Sequence, residues 1–315
     1  MGQPMGINYF DKLVFEAVSQ IPEGRVTTYG EIARALGDIR AARAVGESLK
    51  KNPWPVDVPC HRVVLSDGSL GGYAYGGPAK KKELLQKEGI TFRNGKVDLE
   101  RHLITHKWFK VNPVFEKMRK AQDEIRKRAV TDCAGEPTVA VGVDVSYWGD
   151  VGVGAAVAVT RKGEVLDKRT WVGRVELPYV PTYLAFREMP FIWNAVKEMD
   201  FDVLLADGHG RLHPRGAGEA THFGVVLNVP SIGVAKRKLV GTENGERVLL
   251  NGEHVGWKVG KAYVSPGNKV DVDTALKIAT AFWSSGKQPV PLVLAHKLAV
   301  DKMRAVRKEM QGFSP

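Results

Sequence analysis

Between residues 9 and 104 the apolar positions recur at the three- and four-residue spacing of amphipathic helices. A turn at 21–24 ends the first of these helices. Thr28 and Glu31 then have the spacing of a capping box, which opens a second helix. A further helix at 40–51 follows after a very short turn. Two short helices in this order predict either a helix-turn-helix or an ordinary helical hairpin, and the spacing alone leaves both open.

Beyond residue 105 the pattern changes from helical to strand-like. A polar and charged stretch at 105–137 predicts one helix, and apolar runs separated by glycine-containing turns follow it. Three such strands, a helix and then a fourth strand predict an α/β domain with a mixed sheet. The predicted elements are a helix at 115–128, strands at 139–146, 151–160 and 165–172, a helix at 181–197 and a strand at 201–206.

The length of the chain predicts two domains, because 315 residues exceed one typical hydrophobic core. We place a mainly α-helical domain at 1–105 and the α/β domain at 106–315, with 106–112 as a linker. Hydrophobic residues make up 43% of the chain and charged residues 26%, a composition that excludes wholesale disorder.

Charge and cysteine content narrow the choice of partner and compartment. The formal net charge of +11 favours a polyanionic partner such as nucleic acid. Two cysteines, Cys60 and Cys133, cannot form a disulfide framework, which points to a reducing compartment. The sequence has no charged-then-apolar leader and no apolar run approaching ~18 residues. We therefore expect a cytoplasmic monomer with no membrane partner.

The run Val58-Pro59-Cys60-His61-Arg62-Val63-Val64 is the first candidate for chemistry. A thiol attacks as the thiolate, which a neighbouring imidazole or guanidinium favours, and His61 could take the proton directly or through water. A lone buried cysteine is more often structural, because cysteine packs as a small hydrophobe. Two features favour reactivity here: a rigid turn with a polar amide at Asn52, and a glycine-rich loop at 68–77 whose tyrosines could cover a flat ligand.

With these features in place, the first domain resembles the catalytic domain of O6-alkylguanine-DNA alkyltransferases, which is mainly α-helical and winged-helix-like. In that family a flipped base enters a pocket and the cysteine takes its alkyl group irreversibly. The resemblance covers nearly all of 7–100. It rests on Tyr29-Gly30-Glu31-Ile32-Ala33, Arg40-Ala41-Ala42-Arg43-Ala44-Val45-Gly46, Asn52-Pro53, Pro59-Cys60-His61-Arg62-Val63-Val64 and Gly71-Gly72-Tyr73.

The resemblance also implies a role for each matching residue. Cys60 would be the alkyl acceptor, His61 the base acting through water, and Glu88 the group that orients His61. The other residues would support the site or contact DNA, and this domain would need no cofactor. Asn52 would support the site, Tyr29 would turn the target phosphate, Arg43 would fill the gap in the base stack, and Tyr73 would lie against the bound base.

Three carboxylates of the second domain form the other candidate site. Asp144 lies inside an apolar strand, Asp207 ends the fourth strand, and Glu188 lies on the helix between them. An acid inside an apolar strand is costly unless it is paired or bound to metal, and carboxylates at strand ends suit Mg²⁺. Taken singly, each acid is more often a solvated charge or a salt-bridge partner. Together, the three favour metal-assisted phosphodiester hydrolysis.

The second domain resembles endonuclease V from about residue 115 to 307, which implies a ribonuclease-H-like fold. The family needs Mg²⁺, for which Mn²⁺ can substitute, and nicks a strand one nucleotide beyond the 3′ side of deaminated adenine. The motifs that carry the resemblance are Gly142-Val143-Asp144-Val145-Ser146-Tyr147, Pro178-Tyr179-Val180-Pro181, Phe186-Arg187-Glu188, Asp207-Gly208-His209-Gly210, His213-Pro214-Arg215, Gly233-Val234-Ala235-Lys236 and Val264-Ser265-Pro266-Gly267.

Carried over, Asp144, Glu188 and Asp207 would hold the metal, while Lys236 and His213 would neutralise charge at the scissile phosphate. The run Pro178-Tyr179-Val180-Pro181, including Tyr179 and Pro181, would be a wedge that enters the duplex near the lesion. Thr182 follows this wedge where the family usually has glycine. Cys133 matches no motif, and we expect it to be structural.

The combined expectation is a bifunctional DNA repair protein whose partner is damaged DNA. It would move alkyl groups from guanine O6 to Cys60 and nick DNA 3′ to deoxyinosine. Two alternatives remain open. The first domain could bind lesions without repairing them, beside an active nuclease, or the nuclease could cleave inosine-containing RNA.

Overall fold

A computed structural model describes residues 6–131, 135–284 and 286–312. Cys133 lies outside these residues. The chain separates into two compact units. The first holds the described residues up to Met118 together with Glu176–Pro181, and the second holds Arg119–Val175 and the residues from Thr182 onward. The division at residue 105, which we drew from chain length and the change of pattern, stays a prediction, because compactness alone does not define a family boundary.

The first unit is mainly helical, as predicted. Val26, Val64, Leu85, Ile90 and Val97 form one buried cluster. The elements are α1 (Tyr9–Ser19), β1 (Thr27–Thr28), α2 (Tyr29–Ala35), a 3-10 turn (Ile39–Ala41), α3 (Ala42–Lys50), a 3-10 turn (Cys60–Arg62), β2 (Val63–Val64), α4 (Gly77–Lys87), β3 (Phe92–Arg93), β4 (Lys96–Val97), α5 (Leu99–His102) and a 3-10 turn (His106–Trp108).

The two helices of the predicted pair are α2 and α3, joined by a short 3-10 turn. The Thr28 hydroxyl caps α2 by accepting a hydrogen bond from the Glu31 amide at 3.1 Å. The Glu31 carboxylate, however, accepts from the backbone amide of His106 at 2.6 Å and forms an ion pair with Arg34. Half of the predicted capping box therefore forms, and the other partner instead ties a later segment to the helix.

The second unit is built on a nine-stranded mixed sheet in the order β10-β11-β12-β13-β9-β8-β5-β6-β7. The central strands β9, β8 and β5 are parallel, and the other pairs are antiparallel. The helix α6 (Val114–Arg128) begins in the first unit and ends in the second. The other elements of the second unit are β5 (Val139–Trp148), β6 (Val151–Thr160), β7 (Val165–Arg174), α7 (Leu184–Val196), β8 (Val203–Ala206), α8 (Glu219–Leu227), β9 (Ser231–Ala235), β10 (Thr242–Asn244), β11 (Arg247–Leu250), β12 (Glu253–Val259), β13 (Ala262–Asn268), α9 (Val272–Ala281) and α10 (Val290–Gly312).

The mixed sheet confirms the predicted fold class. The four predicted strands and both helices of this half are present; the strand at 151–160 matches at both ends, and the other ends differ by at most three residues. The prediction stopped at Ala206, so it did not include the antiparallel extension from β10 to β13. Every helix in the described part of the chain is either too short or too polar to span a lipid bilayer.

The helix α10 packs closely against the strand β5. A Cβ atom at Gly142 on β5 would lie 2.2 Å from the backbone carbonyl carbon of Pro291 at the start of α10. Only glycine permits this approach. The contact brings the first turns of α10 against the strand that carries Asp144, and helix position His296 follows one and a half turns later.

Candidate active sites

Cys60 begins the 3-10 turn that follows Pro59, and its side chain is buried with 6% exposure. His61 is next in the chain, and its Nε2 lies 2.6 Å from Glu88 Oε1. Arg62 donates to both oxygens of the same carboxylate at 2.9 Å. The His61 Nδ1 atom is buried and has no hydrogen-bond partner among the described residues. One ring nitrogen is thus held by a carboxylate, and the other is available for a proton transfer.

These hydrogen bonds favour the negatively charged form of the Glu88 carboxylate. Burial alone would raise the pKa of Glu88, but the hydrogen bonds from His61 and Arg62 outweigh it and hold that pKa below its ordinary value. Glu88 is therefore ionised at neutral pH and places a negative charge beside His61 Nε2. The histidine, the arginine and the carboxylate that the sequence placed around Cys60 are brought together by the structure.

A cavity of about 700 Å³ opens beside the cysteine. Tyr29, Arg43, Cys60 and Tyr73 all line it. The pKa values of Tyr29 and Tyr73 are raised, first by burial and second by the negative charge of a Cys60 thiolate. The structure therefore gathers the predicted alkyl acceptor and three of the predicted DNA-contacting residues around one space that is large enough for a nucleobase.

Asn52 and Tyr75 shape the neighbourhood of the cavity. The Asn52 side chain donates to the Val58 carbonyl at 2.9 Å and accepts from the Trp54 amide at 3.0 Å, so both of its ends bind backbone just before Cys60. The Tyr75 hydroxyl donates to the Asn52 carbonyl, and the Tyr75 ring packs edge-on against Tyr73. Asn52 holds the loop that carries the cysteine and reaches no ligand position itself.

Lys81 is a member of this site that the sequence analysis missed. It is fully buried, and its ammonium donates to the Val63 carbonyl at 2.5 Å. Burial lowers its pKa to about 8, while the nearby Cys60 thiolate acts in the opposite direction. Its position in a basic run on α4 resembles a solvated face, so the pattern gave no indication of burial.

The carboxylate site follows from strand register. Val143 on β5 pairs with Ala206 on the parallel strand β8, so Asp144 and Asp207 leave neighbouring strands at the same level. Glu188 comes from α7 and interacts electrostatically with both. Burial raises its pKa well above the ordinary value, and the negative charges of Glu219, Asp144 and Asp207 add to the effect. The three predicted acids therefore share one electrostatic environment.

Glu219, the first residue of α8, is a fourth carboxylate that the sequence analysis did not find. Burial raises its pKa to about 7, and the negative charge of Asp207 adds to the shift. Its Oε2 accepts from the His209 amide at 3.3 Å, next to the Asp207 turn. The sequence offered no indication of this role, because an acid in the first turn of a helix is ordinary.

Three side chains contact the carboxylates of the two aspartates, Asp207 and Asp144. Lys236 Nζ lies 2.5 Å from Asp207 Oδ2, a contact that the sequence analysis did not predict. Gln288 donates to Asp207 Oδ1 at 3.0 Å, and His296 Nδ1 lies 2.7 Å from Asp144 Oδ2. Gln288 and His296 were also missed, since their contacts depend on how α10 and the segment before it dock on the sheet.

The donor set fits a hard divalent cation. Four carboxylates would supply oxygen ligands to such a cation, and burial raises the pKa of Glu188, Glu219 and Asp144. A bound cation would favour the ionised forms of these acids and so oppose the effect of burial. Within the described ranges, no three His, Cys, Asp or Glu side chains stand at mutual metal-ligand distances. The aspartates are instead turned toward Lys236 and His296.

The remaining predicted residues lie around this centre. His213 is buried at 2% exposure, and its Nδ1 accepts from the Arg215 amide at 3.2 Å. Tyr179 of the predicted wedge is 63% exposed, and Pro181 is also exposed. The wedge residues group with the first compact unit rather than the second. An exposed tyrosine between prolines is suited to contact a ligand outside the protein.

Two family models match this chain, one in each of its two parts. The chain matches the family model described as 6-O-methylguanine DNA methyltransferase, DNA binding domain, over 9–90 and that of Endonuclease V over 120–297. Solved endonuclease V structures from Streptomyces avermitilis and Bacillus subtilis each give a TM-score of 0.57, with 32% and 28% identity. They cover 61% and 62% of this chain and 94% of their own.

Relatives also match along nearly the whole chain. A bifunctional methyltransferase/endonuclease of Picrophilus torridus is 37% identical over 94% of this chain and 96% of its own length. One of Thermoplasma volcanium is 37% identical over 90% and 88%. Both predicted enzyme classes are therefore confirmed in one chain. The chain belongs to the family of bifunctional methyltransferase/endonucleases, with a methyltransferase part followed by an endonuclease V part.

Proposed function

We propose that this protein repairs two kinds of damaged base in DNA. The methyltransferase part takes alkyl groups from guanine O6 onto Cys60, once per molecule. The endonuclease part nicks DNA 3′ to deoxyinosine and uses Mg²⁺, with Mn²⁺ as a substitute. The observation that carries the first activity is the Cys60–His61–Glu88 arrangement beside a base-sized cavity, and the shared carboxylate environment carries the second.

In the alkyl transfer, His61 accepts the thiol proton directly or through water. Glu88 holds the His61 ring through its Nε2 atom, and Arg62 in turn holds the Glu88 carboxylate. The Cys60 sulfur attacks the alkyl carbon, the carbon–O6 bond breaks, and its electron pair stays on the guanine oxygen, which takes up a proton. The product is a thioether. No group in the site can cleave a thioether, so each molecule reacts once.

DNA contacts follow from the lining of the cavity. Tyr29 turns the target phosphate so that the base leaves the stack, and Arg43 occupies the gap that remains. Tyr73 covers the extruded base. Extrusion is required because the O6 atom of a paired guanine lies inside the duplex. The net charge of +11 supports the search for lesions along DNA.

In the nuclease site, Asp144, Glu188 and Asp207 would hold the divalent cation, and the chemistry that such a cation would supply is activation of a water and neutralisation of charge on the phosphate. Lys236, which lies against Asp207, and His213 neutralise charge at the scissile phosphate. Tyr179 and Pro181 enter the duplex beside the deaminated base. We further propose a cytoplasmic monomer, in keeping with the two-cysteine composition.

Intact-mass measurement tests the alkyl transfer. After incubation with duplex DNA that contains O6-methylguanine, the protein should carry one added methyl group, and peptide mapping should place it on Cys60. Cys60→Ser should remain unmodified while still binding the duplex. An unmodified wild-type protein would support the alternative that the first domain only recognises lesions.

A matched pair of substrates tests the nuclease. Two strands of the same sequence, one with deoxyinosine in DNA and one with inosine in RNA, are incubated with Mg²⁺. We expect nicking of the DNA strand, loss of nicking in EDTA and recovery with Mn²⁺. Cleavage of the RNA strand alone would replace our substrate with inosine-containing RNA.

A further inference from the structure

The Asp207 carboxylate is bound by a different side chain at each of its two oxygens. Lys236 Nζ lies 2.5 Å from Oδ2, and Gln288 Nε2 donates to Oδ1 at 3.0 Å. Lys236 has a task in the proposed reaction, since it neutralises charge at the phosphate. The proposed reaction gives no task to Gln288, although its amide binds a carboxylate that would hold the metal.

The two donors differ in how firmly the protein holds them. The Lys236 side chain is 55% exposed, and its ammonium lies at the end of a flexible stem. Gln288 is only 6% exposed. Its Nε2 also lies 3.5 Å from the Val234 carbonyl on β9, the strand beside β8, which Asp207 follows. The amide is therefore confined between the carboxylate and a strand backbone, while the lysine is able to move away.

The backbone around Gln288 is fixed by two helices. The carbonyl of Pro289, the next residue, accepts from the Val293 amide at 3.2 Å in the first turn of α10. The Val290 amide donates to the Phe282 carbonyl at 2.9 Å, which ties the start of α10 to the end of α9. The Gln288 side chain therefore reaches the carboxylate from a backbone that is held on both sides.

The two donors also differ in charge. A lysine ammonium repels a divalent cation, so Lys236 competes with such a cation for Asp207 Oδ2. The Gln288 amide has no net charge and does not compete in this way. The carboxylate torsion of an aspartate is broad and two-fold, so a carboxylate bound only by a mobile lysine can exchange its two oxygens. A fixed amide on Oδ1 removes this freedom.

We infer that Gln288 is a positioning residue for Asp207. Its amide holds Oδ1, fixes the plane of the carboxylate and leaves Oδ2 for a divalent cation in place of Lys236. This inference rests on the proposed metal-dependent function of the nuclease site. It gives the two donors of one carboxylate separate tasks, because the amide orients Asp207 and the ammonium is released to the phosphate.

Mn²⁺ binding to the full-length protein without DNA tests the inference. Electron paramagnetic resonance reports the concentration of unbound Mn²⁺, so affinity is measured without any reaction. Gln288→Met keeps the length of the side chain and removes the donor. It should raise the dissociation constant about tenfold, the lower end of what outer partners of a metal site contribute. Lys236→Met should instead lower it about twofold, the scale of an exposed ion pair, because a competing positive charge is lost.

Two further variants separate the position of Asp207 from general loss of folding. Gln122→Met is the matched control, because Gln122 is fully buried in the same unit and its amide donates to the Thr182 and Ala217 carbonyls at 2.8 and 3.3 Å. It should lower the urea midpoint of unfolding in EDTA and leave Mn²⁺ affinity unchanged. Gln288→Asn keeps the amide on a shorter side chain, so it should bind Mn²⁺ as weakly as Gln288→Met.

The Mg²⁺ dependence of nicking gives a second readout. In Gln288→Met, the Mg²⁺ concentration for half-maximal nicking of a deoxyinosine duplex should rise about tenfold. At saturating Mg²⁺ the rate should return to within about twofold of wild type, because the groups that contact the phosphate are unchanged. An equal half-saturating Mg²⁺ concentration in the variant and wild type would contradict a role for Gln288 in orienting Asp207.

The outcomes separate this inference from the proposed function. Equal Mn²⁺ affinity of Gln288→Met and wild type, or an equal loss of affinity in Gln122→Met, would overturn the role of Gln288 while leaving a metal-dependent nuclease intact. A wild-type protein that binds no Mn²⁺ and shows no Mg²⁺-dependent nicking would overturn the proposed nuclease function, and the inference with it.

Discussion

The cysteine site and the carboxylate site treat buried charge in opposite ways. Around Cys60 the one carboxylate, Glu88, is bound by a histidine and an arginine, and its pKa is held below the ordinary value. In the nuclease site several carboxylates share few cations, and the pKa values of Glu188 and Glu219 are raised. The first site has its charges balanced by protein groups alone, and the second has an excess of acid.

This difference matches the two chemistries. A thiol that reacts once needs only a base and a fixed partner for that base, all of which the chain encodes. A site that cuts phosphodiester bonds repeatedly must lower the barrier at a negatively charged phosphate, and a cluster of acids does this only through a bound cation. We therefore expect the two sites to respond differently to substitution, pH and metal.

The largest expected effect separates the sites completely. Asp144→Ala should slow Mg²⁺-dependent nicking by at least about a hundredfold, since even outer partners of a metal site contribute about ten- to a hundredfold. Methyl transfer to Cys60 should be unchanged. Cys60→Ser should give the reverse pattern. Nicking gels and intact-mass spectra on the same preparations measure both, and loss of both activities in either variant would contradict independent sites.

A smaller effect is expected when His61, the proposed general base, loses the Glu88 carboxylate that orients it. Glu88→Gln keeps the shape of the side chain but removes the charge that favours protonated His61. Methyl transfer should slow by about ten- to a hundredfold, toward the lower end of what general acid–base catalysis contributes. Rapid-quench measurement of methylated protein gives the rate. The final extent should still reach one methyl per molecule, and an unchanged rate would remove Glu88 from the mechanism.

The pH dependence of stability gives the next contrast. The pKa of Glu219 is raised from 4.5 to about 7, mainly by burial. The folded state therefore favours the protonated form, so this group's contribution to stability is full below pH 4.5 and is lost as the pH rises through 7. In EDTA at pH 8.5, Glu219→Gln should be more stable than wild type by on the order of 2 kcal/mol, with no difference at pH 4.5.

Urea unfolding at the two pH values measures this difference. Mg²⁺ at pH 8.5 should narrow the gap, because a cation favours the ionised carboxylates of the wild-type site. Glu198→Gln serves as control, since that carboxylate is exposed and pairs with Arg169 at the surface. Equal stability of wild type and Glu219→Gln at both pH values would mean that Glu219 does not share the acid environment.

The two sites also differ in how far the sequence predicted them. Cys60, His61 and Arg62 are neighbours in the chain, so the motif itself identified them, whereas Glu88, at the C-terminal end of α4, was identified only by the family resemblance. Asp144 was found as an acid inside an apolar strand and Asp207 as the residue that ends the fourth strand, and the resemblance to endonuclease V joined them. The Val143–Ala206 register of the parallel strands β5 and β8, which the sequence did not predict, places the two acids side by side.

The residues that were missed come from distant helices. Glu219 and His296 reach the site only because of how α8 and α10 pack, and α10 approaches β5 through the gap left by Gly142. Lys81 was missed for the related reason that burial of one lysine in a basic run depends on tertiary packing. Periodicity predicts elements, whereas convergence of side chains depends on the docking of those elements.

The central claim is that one chain holds a site that reacts once and a site that turns over repeatedly. One measurement tests this claim most directly. A fixed amount of protein is given an excess of duplex carrying both O6-methylguanine and deoxyinosine, with Mg²⁺, and both products are followed in time. We predict that methylated Cys60 stops at one per molecule while nicked strand passes that ratio and continues to rise. Nicking that stops when Cys60 is consumed, or methyl transfer that exceeds one per molecule, would contradict the account.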